Sequence, residues 1–69
     1  MYWEIIAIME EEEAEKEETT TADSFYEAFG RYCSLVMNDE CAACNVVTYR
    51  NDGNLYGDGK PVLSYDRRS

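Results

Sequence analysis

Two groups of residues in this sequence have types and spacings that could do chemistry. The first is "CAAC" at Cys41 to Cys44, with Cys33 upstream. Two thiols in a C-x-x-C spacing serve either as a redox dithiol or as half of a zinc site. A thioredoxin-like dithiol sits at a helix N-terminus after a strand, whereas this pair follows a helical pattern and precedes a strand pattern. A structural zinc site takes four ligands, and the chain has three cysteines and no histidine. The expectation is therefore that these thiols are small apolar fillers where helix meets sheet. An odd cysteine count also gives no disulfide framework, which fits a reducing compartment.

The second group is "MEEEEAEKEETTT", residues 9 to 21, in which seven glutamates fall between Glu10 and Glu18, relieved only by Ala14 and Lys16. Calcium loops alternate Asp, Asn and Gly as ligands and turn residues, and this run does not. Without histidine there is no Ser-His or Cys-His nucleophile. No glycine-rich phosphate loop or paired-carboxylate motif stands out either. The sequence therefore points away from an enzyme and calls for no metal or cofactor. A like-charge run of this kind is in the first instance a solvated segment. Its placement argues for more. Residues 1 to 44 hold twelve acids and two bases, a net of −10, whereas residues 45 to 69 hold three acids and four bases, a net of +1. Polarised charge makes a directed field that speeds and orients association with a basic partner. Tyr49, Tyr56 and Tyr65, with Arg50, Arg67 and Arg68, could suggest base stacking, but a net charge of −9 opposes a phosphate backbone, so no direct nucleic-acid binding is expected.

The elements that must position these groups can be read from periodicity. "YWEIIAIM" fits a strand over about Tyr2 to Met9. One face carries Trp3, Ile5, Ala7 and Met9, the other Tyr2, Glu4, Ile6 and Ile8. Neither face is polar, so the strand is interior. The face away from the helix has surplus apolar surface, suited to an interface or a homodimer. "ADSFYEAFGRYCSLVM" has helical period over Ala22 to Met37, with Phe25, Ala28, Phe29, Tyr32, Cys33 and Val36 on one arc. Thr20 or Thr21 is placed to cap it, Glu27 and Arg31 to pair across one turn, and Asn38 to end it in a left-handed conformation. Beyond it, "NVVTYR", the turn "NDGN", the short "LY", the turn "GDGK" and "PVLSYD" read as antiparallel strands. The expected fold class is α+β: a single amphipathic helix packed on a three- to four-stranded antiparallel sheet, order β-α-β-β with room for one more strand. Residues 1–69 form one small domain, with an acidic connecting loop at about 10–20. At this size only about 60% of the unfolded chain's surface is buried, so stability should be modest. There is no apolar run of membrane-spanning length and no secretory signal pattern, which predicts a soluble cytosolic protein.

The residues expected to meet a partner are Glu10, Glu11, Glu12, Glu13, Glu15, Glu17 and Glu18, for charge, with Tyr26 and Tyr49 for desolvated contact. In layout, with "YWEIIAIM", one amphipathic helix and a C-terminal hairpin region in a short acidic chain, the sequence resembles small phage- and mobile-element-encoded proteins, among them several anti-CRISPR proteins. The resemblance lies in architecture and charge. It implies a stoichiometric inhibitor in the host cytosol that occupies a basic nucleic-acid groove on a CRISPR-Cas effector, its carboxylates standing where phosphates would. Two other readings stay open: a small module, such as an antitoxin or host-takeover protein, that dimerises through its sheet, and a zinc or thiol protein centred on Cys33, Cys41 and Cys44.

Overall fold

In the computed structural model, which describes residues 1–68, the elements run β1 (Tyr2–Glu11), β2 (Ala14–Ala22), α1 (Phe25–Val36), β3 (Cys41–Tyr49) and β4 (Leu63–Asp66). The strands form one antiparallel sheet in the order β2-β1-β3-β4, and α1 lies on one face of it. This is the α+β arrangement of one helix on a four-stranded sheet that the alternation and the helical arc call for, with β1 interior. One strand more than expected precedes the helix.

That extra strand is the correction. The segment at 10–20 is not a connecting loop: Glu10 and Glu11 end β1, Glu12 and Glu13 make a two-residue turn, and Ala14 to Ala22 return along β1 in continuous register. Glutamate disfavours strands on its own, but β-propensity is largely a matter of context. β1 needs a neighbour on each side, and a tight hairpin supplies one at the smallest loop-closure cost. Glu12 takes φ 55°, the left-handed conformation that a tight hairpin turn demands. The β-branched Thr19–Thr21 suit the base of the new strand. β2 is exposed along almost its whole length, and its charges keep an open edge from pairing indiscriminately.

The helix is shorter than the periodic pattern. Thr20 and Thr21 lie in β2, so the cap falls to Ser24, whose Oγ accepts from the Glu27 amide at 3.1 Å. At the other end Met37, not Asn38, is the cap, in a right-handed conformation at φ −81°. Asn38 instead accepts the Glu40 amide on its side chain at 2.9 Å, a local turn that feeds the chain into β3. The pair Glu27–Arg31 forms as expected, at 2.5 Å. The docking face is rotated from the sequence-derived arc. Ala28 is fully buried against the sheet and Tyr32 and Leu35 pack beside it, while Phe25 and Phe29 keep 43% and 46% of their surface exposed. A small residue at the contact point lets the helix come close, so the large rings fall to its flank. Phe25 there meets Trp3 edge-on at 6.1 Å and stacks on Phe29 at 6.3 Å.

The core lies between α1 and the sheet and contains Ile5, Ala7, Met9, Ala22, Ala28, Cys41, Cys44 and Val46. Strict alternation would send Cys41 and Cys44 to opposite faces. A bulge where Met9 pairs with Cys41 while Ile8 pairs with Ala43 inserts one residue and turns both thiols inward.

Candidate functional site

The hairpin of β1 and β2 gathers all seven glutamates of the run on one element. In register, Glu10 lies opposite Glu15 and Ile8 opposite Glu17 on the sheet face away from the helix. Glu11 lies opposite Ala14 and Ala7 opposite Glu18 on the helix side. Like charges directly across a strand pair repel. The Glu10–Glu15 pair is resolved by the C-terminal arginines: Arg68 Nη2 reaches Glu10 Oε1 at 2.8 Å and Glu15 Oε1 at 3.0 Å, and Arg67 Nη2 reaches Glu10 Oε1 at 2.8 Å. Arg67 is itself fixed by donating from Nη1 to the Asp39 carbonyl at 2.8 Å. Hydrogen bonds from Arg67 and Arg68 hold the Glu10 carboxyl below its ordinary pKa of 4.5, and Glu10 and Glu15 raise Arg68 in return. The two shifts run in opposite directions, the acid down and the base up, so each favours the charged form, as an ion pair requires.

The clamp leaves Glu11, Glu12, Glu13, Glu17 and Glu18 exposed and without an ion-pair partner among the described residues. The charge separation read along the chain is thus partly undone in space, since two of the four C-terminal bases fold back onto the acids. What survives is a block of five carboxylates around the turn and along the edge strand, offset only by Lys16. The molecule measures 38 × 20 × 19 Å.

The two tyrosines expected at the site are not brought to it. Tyr26 points away from the sheet on α1, 89% exposed. Tyr49 pairs with Tyr2 at the far end of β1, eight residues from Glu10, or about 26 Å at the rise of a strand. It stacks on Tyr2 at 5.1 Å and donates to Glu4 Oε1 at 3.3 Å. Burial, then the Glu4 charge, raises its phenol pKa. Tyr49 is therefore a structural member of the sheet.

The cysteines sit elsewhere. Cys41 and Cys44 are fully buried, and burial pushes both thiols up, Cys44 to about 11 with the neighbouring Cys41 adding to the shift. An activated thiol needs the opposite shift. Among the described residues no cluster of acids and cysteines has the geometry to hold a metal ion, and no helix is long and apolar enough to cross a membrane.

Periodicity gave no sign of one feature, a groove of about 490 Å³ between α1 and β2. Its floor is Ile5, Ala7 and Leu35, and its rim carries Glu18, Thr20, Glu27 and Arg31. It opens because the helix packs mainly over β1 and β3 and meets β2 only at its Ala22 end, so the inner face of β2 is bare beyond that point. Arg31 is occupied there, with Nη2 on Glu27 and Nη1 on the Thr21 carbonyl at 2.5 Å. The signal that could have revealed the groove is Leu35, an apolar residue outside the main helical arc.

No protein-family model, curated protein sequence or solved structure matches this chain. The fold and the site define it as a small α+β domain with a charged hairpin edge.

Proposed function

We propose that this protein is a non-enzymatic inhibitor of the anti-CRISPR type, which binds a basic, nucleic-acid-handling effector in the cytosol and blocks DNA binding by carboxylate mimicry of phosphate. The observation that carries the reading is the set of five carboxylates without ion-pair partners on the β1–β2 hairpin. The ordered hairpin holds these carboxylates at fixed positions, Glu11, Glu12 and Glu13 around the turn and Glu17 and Glu18 on opposite faces of the edge strand, which a disordered acidic tail would not do. Holding the array in place in advance avoids an ordering cost on binding.

A module that dimerises through the open sheet face is the weaker reading. The Ile6–Ile8 stripe there is bordered by Glu4 and Glu17, and a second copy would bring its own carboxylates to the same border. A basic partner meets no such opposition.

The test is an association measurement with a CRISPR-Cas effector bearing its guide, using the quadruple variant Glu11→Gln, Glu12→Gln, Glu13→Gln and Glu17→Gln, which leaves the Arg68 clamp intact. At low salt the variant should associate at least about tenfold more slowly, and the difference should collapse near 1 M salt, where the Debye length is about 3 Å. Duplex DNA should compete with the wild-type protein. Equal rates at low salt, or indifference to DNA, would remove charge mimicry as the mechanism.

A further inference from the structure

The outer edge of β2 and the groove beside it form a continuous surface. A two-residue hairpin turn makes its flanking residues, Glu11 and Ala14, a hydrogen-bonded pair, so by alternation the even-numbered residues of β2 direct their N–H and C=O toward β1. Glu15, Glu17 and Thr19 then direct theirs outward. The Thr21 carbonyl, next in that series, accepts from Arg31 rather than from β1, in keeping with this assignment. Among the described residues no strand lies beyond β2 in the sheet. A strand added there would place alternate side chains beside Glu15 and Glu17 on the open face, and the intervening ones beside Glu18 and Thr20, over the apolar floor of Ile5 and Leu35.

We infer that this edge takes up an extended segment of a partner protein in which basic and apolar residues alternate, the basic ones meeting the unpaired Glu17 on the open face and the apolar ones entering the groove between β2 and α1. This rests on the reading above that the protein binds a basic partner, and it adds how that partner is held. Main-chain pairing to a free edge supplies affinity, and pockets on alternate sides supply selectivity. Charge complementarity selects the occupant. A second copy of the chain fits less well: it brings another net charge of −9, and β2 has no large apolar side chain to fill the groove.

The experiment titrates the full chain with a nine-residue peptide alternating lysine and leucine, and with a peptide of identical composition at helical spacing, following amide signals and hydrogen exchange by NMR. Two variants accompany it. Thr19→Pro removes an outward N–H, a loss tolerated on an edge strand, and Thr20→Trp lays an indole across the groove opposite Ile5; retention of the wild-type amide pattern elsewhere shows that each still folds. The alternating peptide should bind about tenfold more tightly than its isomer, slow exchange at Glu15, Glu17 and Thr19, and lose about tenfold in affinity with either variant. If both peptides bind equally and neither variant matters, the edge inference fails while the charge reading stands. If neither peptide binds, both fall. Protection of the same amides through self-association, without peptide, would assign the edge to a second copy and overturn the inference.

Discussion

Replacing Ile5 by alanine and, separately, Phe29 by alanine should give very different losses of stability, in the opposite order from their side-chain sizes. Ile5 is 1% exposed, lies between Thr20 and Val46 in register, and belongs to the core beneath Ala28. Truncating a buried isoleucine removes its transfer energy and leaves a cavity, together about 2 to 5 kcal/mol. One wall opens toward the groove, so partial relaxation places the expected loss near about 3 kcal/mol. Phe29 is 46% exposed. Burying a whole phenylalanine is worth about 1.5 to 3 kcal/mol, roughly half of that surface is buried here, and water fills the space left behind, so the expected loss is about 1 kcal/mol. A domain of 69 residues has about 3 to 10 kcal/mol in total, which makes the first substitution a large fraction of stability and the second a minor one. Urea unfolding followed by Trp3 fluorescence and by far-UV circular dichroism measures both, provided the two probes coincide. If Phe29→Ala costs as much as Ile5→Ala, the helix docks through its aromatic flank, and the placement of Ala28 at the contact is wrong.

Three further outcomes follow from the same geometry. Replacing Glu12-Glu13 with Gly-Asn should stabilise the protein by about 1 kcal/mol, because only the first turn residue takes a positive φ and glycine adopts it without strain; an unchanged or lower melting temperature would contradict the two-residue turn. Iodoacetamide at pH 8 should alkylate the half-buried Cys33 in the native protein and reach Cys41 and Cys44 only on unfolding, since both are buried and Cys44 is pushed up to about 11; mass spectrometry after timed quenching reads the order. Glu10 has a depressed folded pKa, so its contribution to stability is present above its ordinary 4.5 and is lost as pH falls through the depressed value; in the double variant Arg67→Ala and Arg68→Ala, the Glu10 titration followed by carboxyl NMR should move upward and that acid-side loss should vanish.

The sequence by itself determined the features that depend on short-range pattern. Two apolar faces on Tyr2 to Met9 mark an interior strand wherever it lies, and the helical spacing over Ala22 to Met37 marks an amphipathic helix that must cover a sheet, though the helix itself runs only Phe25–Val36. The i,i+4 pair of Glu27 and Arg31 follows from spacing alone. Tertiary structure decided whatever depends on a neighbour supplied from elsewhere. The glutamates became a strand because β1 lacked a partner on one side, a requirement that the local composition of residues 10 to 20 conceals. The one legible hint was β1 itself, since an interior strand demands a second neighbour and the nearest chain is the acidic run. Cys41 and Cys44 face the same way only because a bulge opposite Met9 breaks their alternation. Arg67 and Arg68 reach Glu10 and Glu15 across more than fifty residues, which no local rule anticipates, and they divide the seven glutamates into two clamped and five free. The groove beside β2 is likewise a product of packing: alanine at position 28 lets α1 settle mainly over β1 and β3, and the edge strand is left with one face bare beyond its Ala22 end.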